Sequence, residues 1–351
     1  GAVEETLAAI WADLLRVERV GRHDNFFELG GHSLLAIQII ARMRREGLQC
    51  DIRALFETPT LEGLAATVGA GTGEVDVPPN LIPDGCQRIT PDLLPLIDLT
   101  QAEIDGIAAQ VPGGAANIQD IYPLGPLQEG VLFHHLMGGE GDVYLVSGML
   151  AFDSRDRLQG FLVALEAAIA RHDILRTGFA WEGLDQPVQI VWRQAPLRVE
   201  EVELDADGGD AAQQLQQRFD PRRTRLDLGQ APLLRVFIAR DEVGDRWLAR
   251  LLHHHLVMDH TALAILADEV LSHPSGEVSQ APAPIPFRRF VAQARLGVKT
   301  TEHEAFFRDM LGDVSEPTAP FGLADVHLDG SGLEEARLAL EPELAGRLRR
   351  T

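Results

Sequence analysis

The chain has few cysteines, a shortage of positive charge and no long apolar run, and each absence excludes a class of protein. Its 351 residues include only two cysteines, Cys50 and Cys86, so neither a disulfide framework nor a zinc knuckle is indicated, and a reducing cytoplasm fits. Lysine and arginine number 31 against 53 acidic residues, and the net charge of −22 would repel nucleic acid. No stretch of about 18 apolar residues occurs, so no segment is expected to span a membrane. The N-terminal Gly-Ala-Val lacks an initiator methionine and a signal peptide, which suggests a piece excised from a longer protein.

The length and composition predict two or three globular domains. Hydrophobic residues make up 45% of the chain, which is ample for ordinary cores. Glycine is concentrated at residues 69–73, and the stretch GEVDVPPNLIPDG that begins at Gly73 is short of helix formers and rich in proline. This composition is typical of an extended, semi-stiff linker. Beyond the linker, residues 100–110 favour a short helix capped by Thr100.

Residues 1–70 carry the periodicity of a small helical bundle. The first helix has one apolar stripe at helical spacing, made of Leu7, Ile10, Trp11, Leu14 and Leu15. The second begins at Ser33 and ends at Gly47, and its expected buried residues are Leu34, Ile37 and Ala41, with Ile40 and Met43 alongside. A short turn near residues 54–56 and a last helix capped by Thr60 complete a four-helix fold.

Ser33 opens that second helix within the string DNFFELGGHSL at residues 24–34. A helix N-terminus offers unpaired backbone N–H groups and the positive end of the helix dipole, which favour a phosphate. The hydroxyl of Ser33 is therefore a candidate attachment point for a phosphate-linked cofactor. The alternative is that Ser33 only caps the helix.

From about residue 117 the pattern changes to mixed helix and strand. The predicted elements are a helix over 158–169, strands over 188–192 and 196–202, and a hairpin of 233–239 and 247–253 with Gly244 in its turn. The hairpin leads into the string HHHLVMDH at residues 253–260, followed by a helix. Imidazoles and a carboxylate thus stand where a strand gives way to a helix, a place where scaffolds often present reactive groups. From these residues alone, a proton-handling site, a surface cluster and a zinc site all stay open.

These motifs resemble those of two domain families that occur together in one class of enzyme. The region around Ser33 resembles peptidyl carrier (thiolation) domains of nonribosomal peptide synthetases, in which this serine carries 4′-phosphopantetheine. His254-His255-x-x-x-Asp259 matches the HHxxxDG motif of condensation domains, with His260 in the glycine position. Other segments match condensation domains in the same order, namely Tyr122 to Gly130, Arg171 to Thr177, Asp227 to Arg235 and, more weakly, Pro286 to Phe290.

The resemblance implies an amide-forming acyltransferase. His255 would be the active-site residue that takes or holds the proton of the acceptor amine, with His254 and Asp259 in the same catalytic motif. Arg176 would give structural support by pairing with Asp259. The histidine cluster is expected to bind no metal, because His255 must be free and neutral to handle a proton.

In the carrier region the resemblance implies covalent 4′-phosphopantetheine on Ser33, with Gly31 and His32 beside it. The expected partners are an upstream adenylation domain, a downstream carrier domain and a phosphopantetheinyl transferase, all in the cytoplasm, with no nucleic acid and no membrane. The product would be a secondary metabolite such as a siderophore or an antibiotic.

The implied fold is an all-α four-helix carrier domain at residues 1–70 followed by an α/β condensation domain like chloramphenicol acetyltransferase. Residues 71–116 would be linker and lead-in, residues 117–290 the N-terminal lobe, and residues 291–351 the start of an incomplete C-terminal lobe. A free-standing chloramphenicol-type acetyltransferase is one alternative, although it has no use for residues 1–70. A carrier and docking module with an inactive condensation half is another.

One more motif leaves the function open. His134 and His135 begin the string HHLMGGEGD, which ends at Asp142 and matches the HH(I/L)xxxxGD pattern of dual epimerization/condensation domains. These histidines would then take part in inverting the donor residue before coupling. Alternatively, they are the end of a helix that faces solvent or the rim of the tunnel.

Overall fold

The N-terminal region is a bundle of four helices, as the sequence predicts. The computed structural model describes residues 1–50, 52–69, 76–205, 207–272, 283–297, 300–316, 338 and 340–348, without the side chains of Ser33, Leu34, Ile37, Arg53 and Thr300. The helices of the bundle are α1 (Ala2–Leu15), α2 (Ser33–Arg45), α3 (Ile52–Glu57) and α4 (Leu61–Thr67). Thr60 caps α4, because its hydroxyl accepts a hydrogen bond from the backbone N–H of Gly63 at 3.2 Å.

The core of the bundle forms between α1, α2 and the loop that joins them. Leu7 and Trp11 of α1 are fully buried, and the Trp11 ring meets the Phe26 ring edge-on at 5.3 Å between centroids. The prediction for α2 is wrong at Ala41, which is exposed, while those for Leu34 and Ile37 concern side chains outside the description. The buried face of α2 consists of Ala36, Ile39, Ile40 and Met43. This stripe has the i, i+3, i+4, i+7 spacing and carries three large apolar side chains, so the helix turns it to the core.

The stretch predicted to be a linker is partly built into the next domain. Its described residues form neither helix nor strand, but Arg288 donates to the carbonyls of Pro78 and Pro79 at 2.9 and 3.2 Å. Asn80 donates to the carbonyl of Gln119 at 2.8 Å. From Ile82 onward the chain contributes to a hydrophobic cluster, so this part of the predicted linker is packed against the next domain.

From residue 101 onward the chain contains both helices and strands. The further helices are α5 (Gln101–Gln110), α6 (Pro126–Met137), α7 (Arg155–Arg171), α8 (Ala211–Arg218), α9 (His260–Ser272), α10 (Phe287–Leu296), α11 (Thr300–Leu311) and α12 (Pro342–Leu348). The strands are β1 (Ile118–Pro123), β2 (Leu145–Phe152), β3 (Thr177–Ala180), β4 (Val188–Trp192), β5 (Arg198–Glu201), β6 (Leu234–Asp241) and β7 (Arg246–His254). Thr100 caps α5 as predicted, in a reciprocal arrangement with Glu103.

The strands form two sheets, and the larger one presents the histidine motif. A three-stranded sheet has the order β1-β4-β3, and a four-stranded sheet has the order β2-β7-β6-β5. The predicted hairpin is confirmed: β6 and β7 pair antiparallel from Leu234 opposite His253 to Asp241 opposite Arg246. On the other side of β7, Leu145 at the start of β2 stands opposite His254. The end of β7 is therefore held between two strands.

Both faces of the four-stranded sheet are covered by apolar side chains. Helix α7 packs the buried residues Leu158, Leu162, Leu165 and Ile169 into one cluster with Val236, Ile238 and Ala249. The opposite face carries Leu248 and Leu252 together with Leu215 of α8. Burial on both faces makes the sheet a rigid support for the residues at the end of β7. Among the described helices, none has the length and apolar character needed to cross a membrane.

Candidate functional site

Of the three consecutive histidines from His253 to His255, His255 is the exposed one. It follows directly after β7, and its backbone N–H donates to the carbonyl of Tyr144 at 2.9 Å. The Tyr144 ring stands nearly perpendicular to the imidazole, with 6.4 Å between centroids. The main chain of His255 is thus fixed while its imidazole is accessible to a substrate.

His254 points the other way and is fully buried. Its Nδ1 accepts a hydrogen bond from the backbone N–H of Leu256 at 3.1 Å, and its Nε2 lies 3.0 Å from Oδ2 of Asp142. An imidazole nitrogen that accepts a hydrogen bond carries no hydrogen, so the proton of His254 is on Nε2 and is donated to Asp142. Both ring nitrogens are therefore engaged inside the protein.

Asp142 joins a second buried histidine to the first. His135, near the end of α6, has its Nδ1 2.5 Å from the same Oδ2 of Asp142, and Oδ1 accepts from the backbone N–H of Tyr144 at 2.9 Å. Burial alone would raise the pKa of Asp142, but hydrogen bonds from His135 and His254 outweigh it and hold the pKa well below its usual range. Asp142 is thus a buried carboxylate with a hydrogen bond to each oxygen.

His135, Asp142 and His254 each have an atom that could ligate a metal, and these three atoms lie within 4.8 Å of one another. On distance alone they could surround a metal ion. The hydrogen bonds of His254 oppose that arrangement. Its Nδ1 lone pair is used by Leu256 and its Nε2 bears a hydrogen, so the neutral ring has no lone pair left for a metal. That the histidine motif of residues 253–260 binds no metal stays a prediction, and the hydrogen bonds of His254 support it for that residue.

The loop between α6 and Asp142 is held by Arg225, which the sequence analysis missed. The guanidinium donates to the main-chain oxygens of His135, Gly139 and Gly141 at 2.5, 2.9 and 3.2 Å. The backbone N–H of Asp142 donates to the carbonyl of Pro221 at 3.1 Å. No local pattern marks Arg225, because its partners lie more than 80 residues away in sequence.

The predicted pair between Arg176 and Asp259 is wrong. Asp259 is exposed, and its Oδ1 accepts from the backbone N–H of Ala262 at 2.7 Å, as a cap for α9. Arg176 is buried elsewhere and donates to Gln119 and to the carbonyl of Trp192. Arg176 and Asp259 therefore have different hydrogen-bond partners and support different parts of the fold.

Of the two histidines at the end of α6, one is exposed and the other is buried, as is also true of His255 and His254. His134 is exposed, with its ring centroid 6.1 Å from that of Tyr144, whereas His135 is buried on Asp142. The interpretation that both face solvent or the tunnel rim is therefore wrong for His135. Tyr144 lies beside both exposed imidazoles, His134 and His255.

The predicted attachment site has the backbone that a phosphate needs. Ser33 is the first residue of α2, His32 precedes it in extended conformation, and the first turn contains no acidic residue. Gly31 approaches Phe26 so closely that a Cβ would lie 2.5 Å from the Phe26 carbonyl oxygen. The first backbone N–H groups of a helix have no partner within the helix, and no acidic side chain of this first turn opposes an anion, so these residues fit a phosphate-linked group.

Two regions of the chain match known protein families. Residues 118–321 match the family model of the condensation domain, and residues 5–68 match that of the phosphopantetheine attachment site. Malpinin synthetase of Mortierella alpina is 51% identical over 349 residues, which are 99% of this chain and 4% of that protein. Malpibaldin synthetase of the same organism is 50% identical over 350 residues, which are 100% of this chain and 6% of that protein. The crystal structure of the starter condensation domain of rhizomide synthetase aligns with a TM-score of 0.46 and 20% identity, over 56% of this chain and 49% of that one.

The chain spans 4% and 6% of the length of these two relatives, so it corresponds to one small part of each. Its helical region is a phosphopantetheine attachment domain, whose cofactor is covalently bound 4′-phosphopantetheine. The condensation domain model covers more than half of the residues. The chain therefore belongs to the condensation domain family of nonribosomal peptide synthetases, and it carries a phosphopantetheine attachment domain ahead of the condensation domain.

Proposed function

We propose that His255 serves the condensation reaction by taking or holding the proton of an acceptor amine. The observation that carries this proposal is the contrast within the motif: His255 is exposed on a fixed main chain, while His254 is buried with both nitrogens engaged. A general base must reach the proton that it abstracts. Of these two histidines, His255 meets that condition.

The reaction balances without a further reactant. The amine nitrogen attacks the thioester carbonyl of the donor, the C–S bond breaks, and the amine proton leaves by way of His255 to the departing sulfur. A fixed imidazole also orients the amine, which supplies part of the rate by proximity. Asp259 supports this only indirectly, by capping the helix that follows the motif.

We propose Ser33 as the residue that carries 4′-phosphopantetheine, with Gly31 and His32 beside it. The group supplies a thiol on which an aminoacyl or peptidyl donor is held as a thioester. The backbone at the start of α2 favours the negative charge of the phosphate. Gly31 keeps the loop close to Phe26, so the N-terminus of α2 is presented in one position.

The partners follow from this chemistry. An adenylation domain loads the donor, a downstream carrier domain presents the acceptor amine, and a phosphopantetheinyl transferase installs the cofactor. The net charge of −22 makes nucleic acid and anionic membrane surfaces unfavourable partners. A cytoplasmic location supplies the reduced thiols and the coenzyme A that the modification requires.

Dual epimerization and condensation is the second candidate. It is favoured by one observation, that exposed His134 and exposed His255 both lie beside the Tyr144 ring. If both imidazoles act on the donor, His134→Ala should abolish coupling of an L-configured donor and spare that of the D form. Loss of both forms, or of neither, would reject the dual activity.

The decisive experiment measures amide formation in the synthetase that contains this chain, with the donor and acceptor carriers both loaded. His255→Ala should lower the coupling rate by about 10²- to 10⁴-fold, the usual contribution of a general base. The melting temperature should be nearly unchanged, because the His255 side chain is exposed. His303→Ala, an exposed histidine of α11, is the matched control and should couple normally. Near-normal coupling by His255→Ala would reject the assignment.

A further inference from the structure

Asp142 stands between two buried histidines and uses both of its oxygens. Oδ2 is shared by Nδ1 of His135 at 2.5 Å and Nε2 of His254 at 3.0 Å, and Oδ1 accepts the N–H of Tyr144 at 2.9 Å. The side chain of Asp142 is 1% exposed. A carboxylate can take all three bonds because it has only acceptor sites, which no neutral side chain of this size can do.

Hydrogen bonds fix the main chain of the residues just before and just after His255. The ring of His254 holds the N–H of Leu256, and the carbonyl of Leu256 accepts from the Gln128 side chain at 2.9 Å. The carbonyl of His254 accepts from the N–H of Val257 at 3.2 Å. With its own N–H on Tyr144, His255 therefore has a main chain fixed before, at and after its position. The ring of His254 can hold Leu256 only while its proton stays on Nε2, and Asp142 is the acceptor of that proton.

Asp142 is itself held by a separate segment of the chain. Arg225 ties down the carbonyls of Gly139 and Gly141, and Pro221 accepts from the N–H of Asp142. Gly141 lies so close to this segment that a Cβ would come 2.2 Å from the carbonyl oxygen of Arg222. Residues 221–225 thus fix the loop from which Asp142 reaches the histidines.

We infer that Asp142 is a positioning residue for His255, acting through the Nε2–H tautomer of His254, and that Arg225 holds Asp142 in place. This inference rests on the proposed role of His255 in condensation. It gives the aspartate of the HHLMGGEGD string a function in coupling itself. It also makes His254 a positioning residue rather than a group that touches the substrate.

Nuclear magnetic resonance of the ¹⁵N-histidine-labelled chain tests the tautomer without an activity assay. The ring resonances of His254 are assigned because they disappear in His254→Gln. They should show a hydrogen on Nε2 and none on Nδ1. In Asp142→Asn an NH₂ group replaces one acceptor, so the Nε2–H signature should weaken and the His255 ring signals should shift. Glu140→Gln makes the same chemical change at an exposed position of the same loop and should leave both unchanged. An unchanged His254 tautomer in Asp142→Asn would overturn the inference, as would stoichiometric Zn²⁺ binding with loss of the Nε2 hydrogen.

Coupling kinetics test the consequence for catalysis. With both carriers loaded, Asp142→Asn and Arg225→Gln should lower the maximal coupling rate by about 10²-fold, the effect of misplacing a reacting group by about 1 Å. The KM for the acceptor carrier and the loading of the donor should stay as in the wild type, whereas a generally disordered domain would lose both. Wild-type rates in Asp142→Asn would overturn the inference. If the wild-type protein itself forms no amide, the proposed function fails, and the resonance measurement still decides the role of Asp142 toward His254.

Discussion

Burial distinguishes the three consecutive histidines from His253 to His255. His253, His254 and His255 differ in exposure because alternate residues of β7 point to opposite faces of the sheet and the strand ends after His254. Burial, followed by the neighbouring His255 and His254, lowers the pKa of His253 to about 4. A sequence of three identical residues thus gives a buried neutral ring, a buried hydrogen-bonded ring and an exposed one.

The low pKa of His253 predicts a pH-dependent loss of stability. An unfolded histidine takes up a proton near pH 6.5, while His253 in the folded protein does so only near pH 4. Neutral His253 therefore makes its full contribution to the free energy of unfolding above pH 6.5, and on the order of 3 kcal/mol is lost as the pH falls toward 4. Urea unfolding of the wild type and of His253→Gln at pH 7.5 and 4.5 measures this term. The wild type should lose more stability than the variant between the two pH values, and equal losses would contradict the prediction.

Ser33 offers a test that depends on one hydroxyl. Incubation of the chain with coenzyme A and a phosphopantetheinyl transferase should add one cofactor mass, seen by intact-mass spectrometry. Ser33→Ala should gain nothing, because the acceptor oxygen is gone, while Ser315→Ala, at an exposed serine, should be modified like the wild type. Transfer to the Ser33→Ala chain would place the attachment site elsewhere.

Single elements could be predicted from the sequence because each carries its own pattern. The helical stripe over 158–169 lies within α7, and the strand pattern over 188–192 matches β4. The network around the site could not be predicted, because Asp142 and His254 are 112 residues apart. The pairing of Arg176 with Asp259 failed for a related reason. Arg176 bonds to the Gln119 side chain and to the main-chain carbonyl of Trp192, and a main-chain carbonyl cannot be recognised from residue type.

The loop between α6 and β2 shows how much a close contact restricts an element. In Gly141→Ala the new Cβ would lie 2.2 Å from a backbone oxygen, which cannot move aside as a flexible side chain can. The loop must shift, at a cost of about 1–3 kcal/mol, and Asp142 must shift with it. Gly139→Ala, two residues earlier, has open space around its Cβ and should be harmless. Melting temperatures and coupling rates of the two variants make the comparison, and equal behaviour would mean that the loop adapts freely.

At the scale of the whole molecule, the condensation domain extends further toward the N-terminus than its family match. The match begins at residue 118, yet Ile82, Ile89, Ile97, Ile104 and Ile107 are buried in one cluster with β1 and β4. Residues 71–116 were predicted to be linker and lead-in, because the proline and glycine in their first part are typical of a linker. A domain boundary at residue 117, as the sequence predicted, would therefore divide a single hydrophobic core.

A shortened chain tests this boundary. A chain that begins at Asp76 keeps the cluster, whereas one that begins at Ile118 loses it. Each large apolar side chain contributes about 1.5–3 kcal/mol when buried, so the loss of several is comparable with the whole stability of a domain. The shorter chain should be unfolded or aggregated by circular dichroism and gel filtration, and the longer one should melt cooperatively. Equal melting temperatures would show that residues 76–117 are dispensable.

The hydrogen bonds from Arg288 to the carbonyls of Pro78 and Pro79 anchor the start of the condensation domain, which matters for protein engineering. Both bonds are made to the main-chain oxygens of Pro78 and Pro79, so they depend on the path of the chain at these two residues. A foreign carrier domain joined upstream of residue 76 would therefore leave this anchor intact whatever its own sequence. A junction placed after Asn80 would discard the anchor and free a side chain that is also bonded to buried Asp120. Chimeric synthetases are better cut on the carrier side of the two prolines.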